Sequence, residues 1–194
     1  GARFKWMLFS SYGKGTELYT AIPPGYGGGT QVAIRSTAYV NANYKRVLDI
    51  MLDDSRSSSF DPNVNVYKQL VVVKEERTFI RHYWFHAVWP TQARDVVMIS
   101  SWEEQQDGSF IISTIGLPDY IEPSDGSVRA YVCSSSCHIR PGYSPHKCPI
   151  SEEMETWKGD SDDMATTVSR GEREKDDEWC HVTFCTHVDP GGSV

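Results

Sequence analysis

The sequence predicts an α+β domain built on one curved antiparallel sheet, and three observations point there. Apolar residues alternate with polar ones over many short segments rich in Val, Ile, Thr and aromatics, which is the period of half-buried strands. Only one segment carries a helical stripe. Asp107-Gly108 separates two of the alternating segments and reads as a tight hairpin turn.

Taken in order, short strands are expected near Lys5 to Ser11 and Glu17 to Tyr19, followed by a loop at Pro23 to Gly29. Thr30 to Val40 alternates Val32, Ile34, Ser36 and Ala38 against Gln31, Ala33, Arg35 and Thr37. Ala42 to Leu52 is the helix, with Asn41 as its cap. Tyr44, Val47, Leu48, Met51 and Leu52 fall on one stripe. Asp53-Asp54-Ser55 ends it in a polar turn. Further strands are expected at Tyr67 to Val73, Thr78 to His86, Asp95 to Glu103, Ser109 to Ile115, Val128 to Ile139 and Trp179 to Val188. The spacing is that of consecutive antiparallel strands.

The chain has 194 residues and a mass of 21.9 kDa, a length that suits one domain over residues 1–194. An insertion at about 140–177 interrupts it. Net charge is 19 − 26 = −7. Glu152 to Glu178 holds 11 acidic and 4 basic residues and accounts for all of it. This stretch reads as a solvated, mobile loop, or as a docking segment for a protein partner. The balanced remainder lacks the basic footprint of a nucleic-acid binder. No apolar run approaches the ~18 residues of a membrane span, and no basic-then-apolar leader opens the chain. The five cysteines, Cys133, Cys137, Cys148, Cys180 and Cys185, are an odd number, which favours free thiols in a reducing compartment.

A curved sheet with few helices either closes on its own core or wraps a ligand. Phe110, Ile112 and Thr114 share one face. Cys180, Val182, Phe184, Thr186 and Val188 share another, and Val96, Met98, Ser100 and Trp102 a third. These faces are apolar with sparse small polar groups, as in a pocket for an amphiphile. An ordinary core with satisfied hydroxyls has the same pattern.

Four short motifs then stand in order. Leu52-Asp53-Asp54-Ser55-Arg56-Ser57-Ser58-Ser59-Phe60-Asp61-Pro62 resembles the helix-end and W-D-P segment of the START (steroidogenic acute regulatory-related lipid transfer) domain. Val88-Trp89-Pro90-Thr91-Gln92-Ala93-Arg94-Asp95 resembles its W-P-x-x-x-R-D motif, Ser127-Val128-Arg129-Ala130 its V-R-A strand start, and Val188-Asp189-Pro190-Gly191-Gly192 its N-P-G-G ending. Trp6 and Leu18-Tyr19 fit its opening. The resemblance covers nearly the whole chain outside the acidic insertion. It implies a helix-grip fold, in which a curved sheet and a long C-terminal helix enclose an apolar tunnel for one lipid. That helix would follow Gly192, and its sequence is missing here. The loop around Gly116 to Gly126 would act as a lid, and Leu117, Tyr120 and Ile121 would touch a bilayer.

By parity Arg94 points into the tunnel, either paired with Glu76 or anchoring a lipid head group. The resemblance implies that Asp61 and Arg56 contribute at the head group, although the family's arginine position is Ser57 here. The resemblance places Tyr83, Thr114 and Phe184 at cavity positions that are Gln, Asn and Tyr in ceramide-type members, so a ceramide network is not supported, whereas a sterol-like ligand or a differently anchored phospholipid is compatible. Arg81 shares the parity of Tyr83, Phe79 and Phe85 and reaches the same cavity. Tyr83, Trp102 and Tyr131 would form a cage for a quaternary ammonium. Met98, Phe110, Ile112 and Val182 line the apolar wall.

Cys133, Cys137, His138, His146 and Cys148 have zinc-like composition. Cys133 and Cys137 are nevertheless roughly 13 Å apart along a strand, too far for one ion. His181 and His187 face away from Phe184, and Cys185 beside them is a weak nucleophile candidate. No nucleophile-elbow, phosphate-loop or zincin motif is present. The expected function is therefore non-enzymatic lipid transfer or sensing, without cofactor or metal. It would operate in the cytoplasm with transient membrane contact. The alternatives are a regulatory interaction module of a larger protein, or a hydrolase or isomerase on the same cavity fold.

Overall fold

Residues 4–12, 15–23, 32–56, 59, 61–88, 90–142 and 179–191 are described by the computed structural model of the chain. The acidic stretch, the glycine-rich loop beyond Pro23, Trp89, Phe60, His146 and Cys148 lie outside the described residues.

The period-two segments are strands: β1 (Met7–Tyr12), β2 (Thr16–Ala21), β3 (Ala33–Val40), β4 (Val64–Val73), β5 (Thr78–Phe85), β6 (Ala93–Glu104), β7 (Phe110–Gly116), β8 (Ser127–Arg129), β9 (Tyr131–Gly142) and β10 (Trp179–Asp189). Among the described residues they form one sheet in the order β1-β2-β3-β10-β9-β7-β6-β5-β4, with β8 beside β6. The consecutive order expected from sequence therefore breaks at β3, which pairs with β10 rather than β4. The expected strand Val128 to Ile139 also divides, because Ala130 donates its N–H to Asp95 O at 2.9 Å and β8 runs parallel to β6.

Register shifts between Leu8 and Ser10, Val64 and Val66, Gln69 and Val71, and His187 and Val188 mark β-bulges. Bulges bend strands and increase twist, and so curve the sheet. The Asp107-Gly108 hairpin forms as expected. Gly108 takes φ +79° and the Asp107 carboxylate accepts the Ser109 N–H at 2.9 Å.

Helix α1 (Tyr44–Leu52) starts two residues later than the sequence reading, and Asn43 caps it by accepting Lys45 N–H at 2.9 Å. Its stripe packs as expected. Leu48 is buried with Phe110, Ile112, Cys137 and Ile139, and Tyr44, Val47, Met51, Leu52, Trp102 and Val182 surround them. A single turn of 3-10 helix follows at Asp54–Arg56.

Candidate functional site

The pairing registers assign one face of the sheet residue by residue. Arg81 lies opposite Met98, Tyr83 opposite Val96 and Phe85 opposite Arg94. Ser100 lies opposite Thr114, and Trp102 opposite Ile112. Ile112 meets Cys137, Cys137 meets Phe184 and Ile139 meets Val182. Alternation then puts Arg94, Val96, Met98, Ser100 and Trp102 on the side that α1 covers. This is the face on which sequence parity placed Arg94.

Helix α1 closes only one end of that face. Trp102, Phe110, Ile112 and Val182, expected to line a cavity, are instead core beneath α1. Farther along, the face is open. Phe184 is 37% exposed and Ile34 40%, both high for large apolar groups in a sheet. The Ser100 and Thr114 hydroxyls bond each other at 2.7 Å in the middle of the trough. From Arg94 to Ser100 the trough runs about 20 Å, at ~3.3 Å per residue.

At its far end is a pocket of about 300 Å³, the lower end of the range for small-molecule sites. Its floor is Phe85, Val96, Met98, Ala130, Val132 and Val188, and its rim includes Asn63, His86, Thr91, Gln92 and Arg94. Val132 was missed by sequence parity, which favoured Tyr131. The bulge at His187/Val188 shifts the register so that Val132, not Tyr131, faces Val188. Tyr131 instead sets its ring where a Cβ on Gly116 would stand.

The remaining candidates separate. Arg94 donates Nε–H to Pro190 O at 2.9 Å and an Nη1–H to Gln92 O. Its expected partner Glu76 sits exposed in the β4–β5 turn instead. Arg56 is exposed, pairs with Asp53 at 3.0 Å and is not among the residues lining the pocket. Asp61 accepts Asn63 N–H at 3.0 Å and so shapes the turn into β4. Arg81 is buried, donates to Leu52 O at 2.9 Å at the end of α1, and stacks on Phe79. Tyr83 neighbours Tyr67 and Phe85, whereas Trp102 contacts Phe110 and Arg77. Trp102 lies six residues along β6 from Val96, the partner of Tyr83, which is about 20 Å. The aromatic cage is therefore not formed.

The buried ion pair that sequence reasoning assigned to Arg94 is one residue along. Asp95 is fully buried on the opposite face. It accepts from Arg129 Nη2 at 2.8 Å, Arg129 Nε at 3.1 Å, Ser124 N at 3.2 Å and meets His82 Nε2 at 2.7 Å. Burial pushes the carboxyl up, but the bonds from Arg129, His82 and Ser124 outweigh it and hold Asp95 down at about 2. Arg129 also donates to Pro118 O and Ile121 O, and Trp84 Nε1–H to the Ser124 hydroxyl. The expected lid, around Gly116 to Gly126, is thereby tied to the sheet, and Tyr120 within it is exposed.

Gly191 completes this knot. It takes φ +67°, and a Cβ there would stand 2.2 Å from Arg129 O. The R-D pair, the V-R-A segment and Pro190-Gly191 thus meet in space, and what they build is principally a structural junction beside the pocket.

On the convex face, His138 Nε2 lies 2.9 Å from the Ser109 hydroxyl and Arg140 Nη2 lies 2.9 Å from His181 Nδ1. Burial, then Arg140, pushes both imidazoles down. Cys137 faces α1 while His138 faces away, so the two do not converge on one ion. The Cys137 thiol is pushed up to about 12, chiefly by burial. Cys185 and His187 sit on central strand β10, and His187 is buried.

A family model described as the START domain matches residues 2–194. No curated protein sequence matches the chain. Among solved structures it is similar to human STARD10, at 18% identity and TM-score 0.69, covering 97% of this chain and 62% of that one. It is similar to the human StarD13 lipid transfer and protein localization domain, at 19% identity and TM-score 0.68, covering 98% and 77%. It is also similar to human StAR-related lipid transfer protein 5, at 13% identity and TM-score 0.69, covering 97% and 74%. The chain thus spans less than two thirds of the STARD10 structure. Those likenesses establish the fold, a curved antiparallel sheet of helix-grip type. With the family match running over residues 2–194, the chain belongs to the START domain family.

Proposed function

We propose that this chain binds one amphiphilic lipid along its concave face, for transfer between membranes or for sensing, and carries out no covalent chemistry on it. The observation that carries this reading is the pocket of about 300 Å³, floored by Phe85, Val96, Met98, Ala130, Val132 and Val188, on the face that α1 covers only in part. In the fold, that trough would become the family's tunnel once its open side is covered. Each CH₂ buried there contributes roughly 0.8 kcal/mol, so the hydrocarbon supplies most of the affinity. The rim of Asn63, His86, Gln92 and Arg94 receives the polar end. Of the residues expected to bind, Arg94 and Met98 line this pocket, and Thr114 and Phe184 share its face of the sheet.

Exposed Tyr120, with Leu117 and Ile121 behind it, is the natural point of transient membrane contact, on a protein working at the surface of intracellular membranes. No helix among the described residues is long and apolar enough to cross a membrane. Native mass spectrometry of the protein purified from cells tests the reading. A single lipid-sized increment of mass, lost on denaturation, is expected. Bare protein only, with no increment after incubation with mixed-lipid vesicles, refutes it.

A further inference from the structure

We infer that the polar end of the ligand held in this pocket is an anion, a carboxylate or a phosphate ester, seated on Arg94. The inference rests on the lipid-binding reading and specifies its ligand. Among the described residues, none that lines the pocket is acidic. Among the described residues, Arg94 is the one lining side chain with a permanent charge, and His86 shares the rim.

The surroundings of Arg94 differ from those of two other arginines. Arg129 is neutralised by Asp95, and Arg56 has Asp53. Arg94 is held by two backbone carbonyls, Pro190 O through Nε and Gln92 O through Nη1. Among the described residues no carboxylate lies within ion-pair distance of it. Carbonyl oxygens satisfy hydrogen bonds but leave the positive charge uncancelled. They hold the guanidinium through Nε and Nη1, and among the described residues Nη2 makes no hydrogen bond. A guanidinium held this way, beside an apolar floor, offers its Nη2 N–H groups and its uncancelled charge to an oxygen of a carboxylate or phosphate. A cationic or wholly neutral head group would leave that charge unbalanced at the edge of a low-dielectric pocket.

The test is displacement of the neutral dye Nile red at pH 8 and low salt, by three competitors sharing an oleoyl-length chain: oleate, oleoyl lysophosphatidate and oleyl alcohol. Inorganic phosphate and acetate are run alone. The two anionic amphiphiles should bind about tenfold or more tighter than the alcohol, as expected for a charge-assisted contact. Arg94→Gln should bring the ratio of affinities toward one, and Arg94→Lys should keep part of it. Melting midpoints of each variant are measured alongside. Should Arg94→Gln fail to fold, the comparison of competitors on the unaltered protein still decides. Equal binding of oleate and oleyl alcohol overturns the inference while leaving lipid binding intact. Displacement by inorganic phosphate or acetate as strong as by oleate overturns it too, since the site would then take a free anion. No displacement by any amphiphile overturns the lipid-binding reading itself.

Discussion

Asp95→Ala removes the acceptor around which Arg129, His82 and Ser124 are arranged. The magnitude has two estimates. The fall of its carboxyl from 3.8 to about 2 corresponds to about 2 kcal/mol of folding free energy at neutral pH. Because the folded value is depressed, that stability is present above about pH 4 and is lost as pH falls toward 2 and below. Truncation costs more than protonation, since it leaves Arg129, only 10% exposed, without its counter-charge. Breaking a buried pair from one side costs about 3–5 kcal/mol. Two carbonyls, Pro118 O and Ile121 O, still hold Arg129, which favours the lower end. For a domain of this size about 3 kcal/mol lowers the melting midpoint by roughly 6–12 °C. Thermal unfolding followed by tryptophan fluorescence reads it directly, because Trp84 is bonded to Ser124 and its ring centroid lies 3.6 Å from that of His82, tilted by 34°. Arg94→Leu is the control: it strands no acid and loses two bonds to carbonyls, about 1–2 kcal/mol. A cost below about 1 kcal/mol for Asp95→Ala, or a larger cost for Arg94→Leu, refutes this division of roles between the two neighbours.

Gly191→Ala should destabilise strongly, because the residue sits at φ +67° and its Cβ would stand 2.2 Å from Arg129 O. Gly108→Ala, at φ +79° with nothing within 4 Å, should cost only about 1 kcal/mol; denaturant melts of the pair compare clash with conformation alone. Leu48→Ala should cost about 2–5 kcal/mol in the same assay, since Leu48 joins α1 to Phe110 and Ile139. The Cys137 thiol, raised from 9.0 to about 12, should stay unlabelled by iodoacetamide at pH 8.5 in folded protein and label after urea. Its contribution to stability is complete below pH 9 and declines as pH rises from there toward 12, so an alkaline titration of stability checks the sign.

What could be read from sequence, and what could not, follows from where the chain keeps a simple period. Within an unbroken strand parity is reliable, and it placed Arg94 with Val96 and Met98, and His181 opposite Phe184. The stripe from Tyr44 to Leu52 located α1 and its packing face for the same reason. Parity fails across a bulge. Nothing in Val128 to Ile139 announces the shift that exchanges Val132 for Tyr131 at the pocket. Nor does local pattern reveal long-range partners. Glu76 was chosen for Arg94 as a nearby acid on a neighbouring strand, whereas the contacts that form are to Gln92 O and Pro190 O, 96 residues away in the second case. Asp95 was legible as half of a motif, but its burial depends on Arg129, Ser124 and His82 arriving from separate segments. Trp102, Phe110, Ile112 and Val182 were correctly read as apolar and inward. Whether such residues meet a helix or a ligand depends on where α1 docks, and that is not a local property.

The most direct test of the central claim is photo-crosslinking with a diazirine-bearing oleate, followed by peptide mapping. A ligand in the concave trough predicts adducts on peptides containing Val96, Met98, Val132 and Val188, competed away by excess unlabelled oleate. Adducts concentrated on the opposite face, at Tyr39, His181 or Thr183, or spread without competition, would contradict it.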